Sequence, residues 1–272
     1  MYEILLFFIS IGAGFLGSLL GIGGGMIIVP ILTLLLHVDI RYAIAASLIS
    51  IVATSSGAAA SFLKDHLTNL RVAVLLEIGT VFGAMAGFLI SKHIQSSALY
   101  LVFGLFLFFS AVMMLIKRGD SRSNKDHPWS KTLRLGSSHP DSSGQPVHYS
   151  VEQVPLGLGL MFFAGVMSAL LGIGSGILKV LAMDGAMKLP MKVSSATSNF
   201  MIGVTATASA GAFFIEGNVH PQIAGPVAVG IIGGSYIGAR AMIGMHPTLI
   251  RKIFVVVLGI VSLQMILKGL HV

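Results

Sequence analysis

The stretch Leu19-Leu20-Gly21-Ile22-Gly23-Gly24-Gly25 is written twice in this chain, returning as Leu170-Leu171-Gly172-Ile173-Gly174-Ser175-Gly176. Each copy interrupts a long apolar run. A glycine inside a helix costs about 1 kcal/mol against alanine, so runs this dense break helices. In lipid, the backbone groups freed by such a break must be satisfied by protein or by water in a cavity. Two breaks at corresponding points of two halves are the pattern of a transporter binding site.

Composition places the chain in a membrane. Of its 272 residues, 55% are hydrophobic and 10% charged, against about 25% charged in a soluble domain; the mean hydropathy is +0.92. With no cysteine, disulfides, thiolate metal sites and cysteine nucleophiles are excluded. The net charge of +7 reads as loop residues that set topology, not as a nucleic-acid surface. Met1-Tyr2-Glu3 lacks the basic start of a signal peptide, so the first apolar run is expected to be retained.

Spans of about 20 residues are expected at 41–63, 72–91 and 97–116, and again at 192–214, 222–243 and 249–267. Each set follows a longer stretch holding a glycine break, 4–36 and 154–187. Residues 117–150 are basic and rich in Ser, Pro and Gly, and read as a flexible aqueous loop. Its His127, His139 and His148 have no metal-ligand spacing, and no metal site or cofactor is expected. The expected domains are therefore 1–116, a first transmembrane repeat; 117–150, a basic cytoplasmic loop; and 151–272, a second repeat. A shift of 151 positions superimposes the halves without a gap from residue 14 to 107, bringing Ala45, Ser47 and Thr54 onto Ala196, Ser198 and Thr205.

Basic residues accumulate on the cytoplasmic side of a membrane. If each glycine stretch crosses once, nine basic residues lie inside (Lys64, Arg71, the six of the loop and Lys268) and six outside (Arg41, Lys92, Lys188, Lys192, Arg251 and Lys252). If each is a re-entrant hairpin, twelve lie inside and Arg41, Lys92 and Lys268 remain outside. The second arrangement is the more asymmetric. The expected fold is thus an all-α polytopic membrane protein of two inverted repeats, each a glycine-broken re-entrant hairpin plus three transmembrane helices, with both termini outside. The half-helices after the breaks would start at Met26 and Ile177, their positive N-terminal ends converging on one point.

Candidate substrate-binding residues are Gly21, Gly23, Gly24 and Gly25, and Gly172, Gly174, Ser175 and Gly176. Ser47, Ser198 and Asn199 add uncharged donors early in the helix after each hairpin. Lys179 is an ammonium one turn into a half-helix, where Ile28 stands in the first half; an intramembrane charge of this kind is a functional-site hypothesis by default. Glu77 and Arg240 are candidates for coupling or gating. Thr54, Ser55, Thr205 and Thr207 read as packing. The spacing of Gly17/Gly21, Gly83/Gly87 and Gly230/Gly234/Gly238 reads as close helix contact. Gly12, Gly14 and Gly17 fit a dinucleotide fingerprint, but no strand precedes them, and no P-loop is present.

Leu20 to Pro30, Ala45-Ala46-Ser47, Gly172 to Gly176 and Ala196-Thr197-Ser198 together resemble the sulfite exporter TauE/SafE family, over nearly the whole chain except 117–150. The resemblance implies a multi-pass permease of the cell membrane, a bacterial inner membrane being expected, that moves sulfur-containing anions such as sulfite or sulfoacetate. It points to Gly21, Gly23, Gly24, Gly25, Pro30, Gly172, Gly174 and Gly176. Two positions depart from the paired motif: Ser175 replaces a glycine, and Leu181 stands opposite Pro30.

The reading is a secondary transporter of a small anion, with the lipid bilayer and a small anionic substrate as partners, protons as the candidate coupling ion, and the repeats rocking against each other. An anion channel using the same site is the alternative. An intramembrane enzyme or an assembly factor is a third reading, disfavoured because the spans lack paired carboxylates and almost lack histidine.

Overall fold

A computed structural model describes the backbone of residues 2–18, 25–64, 67–115, 128–140, 145–243 and 247–271. Gly21, Gly23 and Gly24 lie outside these residues, as does the side chain of Arg240. The first half holds α1 (Tyr2–Ser18), α2 (Gly25–Pro30) running into a π-helical turn (Ile31–Leu35), α3 (Ile40–Lys64), α4 (Leu70–His93) and α5 (Ser96–Leu115). After a short α6 (Pro128–Thr132) and two strands, the second half holds α7 (Val154–Leu171), α8 (Gly176–Leu181) with its π-helical turn (Ala182–Ala186), α9 (Met191–Ile215), α10 (Pro221–Ile243) and α11 (Pro247–His271). The sequence offset of 151 carries Gly25 to Gly176, Ile31 to Ala182, Ile40 to Met191 and Leu70 to Pro221, so matching elements begin at matching residues. The expected spans agree with α3, α4, α5, α9, α10 and α11 to within a few residues at each end.

The helices are two-faced in a way that suits lipid. On α4, Val74, Ile78, Phe82, Met85 and Leu89 are exposed, while Val72, Leu76, Glu77, Thr80, Gly83 and Phe88 are buried. An outward stripe that apolar has no solvent but acyl chains. Among the described residues, α4, Ser96–Met113, α7 and α9 are long and apolar enough to cross a membrane. The chain is a mostly helical, multi-pass membrane protein.

Glycines set how closely the helices approach and in what register. On α4, a Cβ at Gly79, Gly83 or Gly87 would fall 2.9, 2.0 and 2.4 Å from the carbonyl oxygens of Leu158, Phe162 and Val166 on α7. The contacts advance together, so α4 and α7 run parallel with backbones touching, as small residues allow between membrane helices. Gly230 and Gly234 of α10 meet the carbonyls of Phe7 and Ile11 on α1 in the same way. By contrast, α5 and α11 run antiparallel: the Ser262 hydroxyl donates to the Gly104 carbonyl (2.9 Å), and Gly269 lies against Ser97 and Leu101.

A second parallel pair is α4 with α9. From one end to the other, Asn69 N–H donates to Thr197 Oγ1 (3.0 Å), Glu77 meets Thr205 (2.9 Å), the rings of Phe88 and Phe213 lie 5.0 Å apart, and Lys92 pairs with Glu216. Because α7 and α9 both run parallel to α4, the segment joining them doubles back. Its far end lies at the start of α7, where the Glu152 N–H donates to the Met187 carbonyl (3.0 Å) and the Met187 side chain covers Gly157.

The linker departs from expectation. Polar composition reads as flexible throughout, yet Ser137–Pro140 (β1) and Pro146–Tyr149 (β2) pair as an antiparallel hairpin. Tyr149 of this hairpin and the Arg134–Leu135 segment before it are held against the start of α4. Asn69 caps α4 by accepting from Val72 N–H, and its amide donates to the Leu135 carbonyl (2.8 Å) and the Tyr149 hydroxyl (2.9 Å). Leu135 and Val151 join a buried cluster with Val72, Leu76, Met187 and Leu189. Burial pushes the Tyr149 phenol above its usual range.

Candidate functional site

The second glycine break is built from left-handed backbone. Gly172 and Gly174 have φ of +66° and +67°, which glycine adopts without strain. Ser175, the N-cap of α8, also has a positive φ of 50° and makes no side-chain capping bond. The chain thereby reverses between α7 and α8 within four residues. The half-helix begins at Gly176, one residue earlier than expected.

The break is packed among residues of both halves. A Cβ at Gly174 would lie 2.7 Å from Ile202 of α9 and 3.4 Å from Ile51 of α3, two positions related by the repeat offset. At Gly25 a Cβ would lie 2.7 Å from the Ser47 hydroxyl and 2.8 Å from the Gly172 carbonyl. The start of α2 and the second glycine break are therefore in contact, with Ser47 between them.

Among the expected uncharged donors, Ser47 and Ser198 serve the backbone here. The Ser47 hydroxyl donates to the Gly172 carbonyl (2.6 Å), and that of Ser198 donates to Gly176 (3.2 Å). These bonds tie α3 to the second glycine break and α9 to the first turn of α8. The Asn199 amide donates to Ser195 on its own helix (3.0 Å), away from the glycines. Two other hydroxyls are not used this way. Ser168, in the last turn of α7, and Ser175, at the start of α8, are fully buried, and their oxygens have no hydrogen-bond partner among the described residues. A buried unpaired polar group costs about 1–3 kcal/mol, so two of them flanking one glycine run mark a place suited to a polar guest.

Lys179 and Glu77 are brought together. Lys179 is fully buried, and its ammonium donates to the Met201 carbonyl (3.0 Å) and to Thr205 Oγ1. Its Nζ lies 3.7 Å from Glu77 Oε1. Thr205 in turn meets both carboxylate oxygens (2.9 and 3.0 Å), and Thr80, one turn along α4, donates to Glu77 Oε2. The chain of groups runs Lys179–Thr205–Glu77–Thr80 and ties α8, α9 and α4 together. Sequence reasoning assigned Thr205 to packing and passed over Thr80. A signal was available for Thr80, a hydroxyl three residues beyond an intramembrane carboxylate on the same helix face.

Residues 6–265 match the family described as Sulfite exporter TauE/SafE. The chain is 30% identical over 277 residues to the probable membrane transporter protein YunE of Bacillus subtilis (strain 168), covering 99% of each chain. It is 29% identical over 284 residues to a probable membrane transporter protein of Methanocaldococcus jannaschii, covering 97% of this chain and 95% of that one. With the probable membrane transporter protein YdhB of Bacillus subtilis (strain 168) it shares 24% identity over 249 residues, covering 92% of each. No solved structure matches the chain.

Proposed function

We propose that this chain, which belongs to the sulfite exporter TauE/SafE family of membrane transporters, is a secondary carrier of a small anion, most simply sulfite or a sulfonate. The anion would bind beside the paired glycine breaks, near Gly25, Gly172, Gly174, Ser175, Gly176 and Lys179, with Ser47 and Ser198 holding the breaks in shape. The observation that carries this reading is the contact of the start of α2 with the second glycine break, beside buried Ser168 and Ser175, which have no hydrogen-bond partner among the described residues, with buried Lys179 one helical turn after Ser175. Hydroxyl and ammonium groups are the donors an oxyanion needs. The name of the matched family, a sulfite exporter, supports a sulfur-bearing oxyanion.

The topology we infer is two inverted repeats, each a re-entrant hairpin followed by three spans, with residues 117–150 cytoplasmic and both termini outside. Three observations support it. Met187 returns to Glu152, as the base of a hairpin must. The matching helices α5 and α11 run antiparallel, as elements exchanged by an axis in the membrane plane do. Lys188 and Lys192 fall at the end of α9 that faces the linker, as twelve-to-three charge asymmetry requires.

The test is counterflow in proteoliposomes with a panel of sulfite, sulfonates and carboxylates. Saturable exchange of at least one anion is expected. Large conductance without exchange identifies a channel, and movement of none of them rejects the anion reading.

A further inference from the structure

We propose that Glu77 is an internal stand-in for the transported anion. Its carboxylate and the cargo compete for the Lys179 ammonium and the Thr205 hydroxyl, and Glu77 yields by taking up a proton, so one proton crosses with each anion. This inference rests on the anion-carrier reading above and gives it a coupling stoichiometry.

The geometry of the pair supports exchange. A charge-assisted N–H···O bond spans about 2.7–2.9 Å, but Lys179 Nζ and Glu77 Oε1 are 3.7 Å apart. Two of the three ammonium protons go to Met201 and Thr205, leaving the third without a close acceptor of that kind among the described residues. Glu77 meanwhile has hydroxyl partners of its own in Thr205 and Thr80. These hydroxyls suit either protonation state, since they donate to a carboxylate and accept from a carboxylic acid. Loss of the ammonium therefore does not strand Glu77 once it is protonated.

Charge balance then fixes the stoichiometry. The buried centre holds one positive and one negative group. A monoanion added to it leaves a net charge at membrane depth, which is strongly unfavourable. One proton on Glu77 restores neutrality: the proton forms the carboxyl O–H, the Lys179 ammonium passes to the anion, and both leave together. The repeat offset places Ile28 opposite Lys179 and Ala228 opposite Glu77, so the repeat-related positions carry no second copy of this pair.

Other charged groups on the packed elements are placed elsewhere. On α4, Arg71 donates to the Arg134 carbonyl at the linker, and Lys92 and His93 lie at the opposite end. Asp184 lies five residues beyond Lys179 toward the hairpin base, and Lys192 opens α9; α7 carries no charged residue.

Methanesulfonate is a suitable probe because it stays ionised and cannot carry the proton itself. Uptake and counterflow are measured in proteoliposomes of the full chain, together with infrared spectra of the carboxyl band during acid titration. In wild type, each unit of pH gradient, acid on the loading side, is expected to raise accumulation about tenfold, as one proton per anion requires. Glu77→Gln is expected to exchange methanesulfonate at an altered rate, lose the gradient response and lose a carboxyl band that methanesulfonate otherwise shifts to higher pH. Lys179→Gln/Glu77→Gln, which removes both charges, reports folding and is expected to lose methanesulfonate binding. Wild-type counterflow that ignores the pH gradient overturns the coupling while leaving the carrier. So does a Glu77→Gln variant that still follows the gradient. Absence of counterflow for every anion overturns the carrier reading, and the infrared band still decides whether Glu77 titrates against an anion.

Discussion

Two glycines on the same helix are expected to respond to the same substitution with opposite sign. On α7, a Cβ at Gly165 would lie 2.1 Å from the Thr80 carbonyl oxygen, 2.8 Å from its carbon and 2.9 Å from Ala84 N. All three are backbone atoms of α4, so no side chain can swing aside, and the helices must part by about 1 Å to reach ordinary contact. Overpacking of this kind costs about 1–3 kcal/mol, against about 1 kcal/mol that alanine returns in helix propensity. Gly159, six residues earlier, has nothing within 4 Å of its would-be Cβ, so Gly159→Ala keeps the propensity gain alone. The two variants should differ by about 1–3 kcal/mol, Gly165→Ala the weaker. Because Thr80 is the residue pressed, Gly165→Ala should also slow anion exchange, while Gly159→Ala should not. Denaturant unfolding of the purified protein in one detergent measures both stabilities. Equal stabilities within about 0.5 kcal/mol, a spread typical of neutral surface changes, would refute the backbone-contact account of α4 and α7.

Further outcomes follow from single bonds. Ser47→Ala removes the donor to the Gly172 carbonyl and should cost about 1–3 kcal/mol, read by unfolding, with exchange reduced because the second break loses its bond to α3. Asn69→Leu removes the α4 cap and both bonds to the linker, worth about 0.5–2 kcal/mol for the cap alone; trypsin should then cut faster after Lys131 and Arg134 in intact protein. Membrane-impermeant labels on tags at Met1 and Val272 should both react from outside in intact cells; protection of either tag contradicts the inverted arrangement.

Much of the architecture was legible because lipid imposes it. Apolar runs of fixed length gave six helices to within a few residues at each end, and the second glycine run located the break after α7. The pairing of Lys179 with Glu77 was not legible. Each residue stood out alone as a charge inside an apolar stretch, but their meeting depends on α4 packing parallel to α9. No periodicity within either segment carries that information. The repeat was misleading here, since Ile28 and Ala228 make the matching positions apolar. Ser47 and Ser198 were read as donors to a substrate because a hydroxyl beside a glycine break suits one; in the structure the broken backbone claims them first. The linker was misread because composition averages over its few apolar residues. Leu135, Tyr149 and Val151 are enough to anchor it once Asn69 offers bonds.

The partners of α4 and α10 carry a mechanical consequence. α4 lies on α7 and α9, whereas α10 lies on α1 and α3. Each half of the chain thus lends a helix to the other, like two hands with one finger exchanged. Rocking of one repeat against the other would disturb those contacts; the packing instead groups α1, α2, α3 and α10 on one side and α4, α7, α8 and α9 on the other, with α3 and α9 packed against each other between them. Lys179, Thr205 and Glu77 all belong to the second group, and Gly25 and Ser47 belong to the first. The seam between the two groups runs along α3 and α9 and passes between Ser47 and Gly172, where the start of α2 meets the second glycine break.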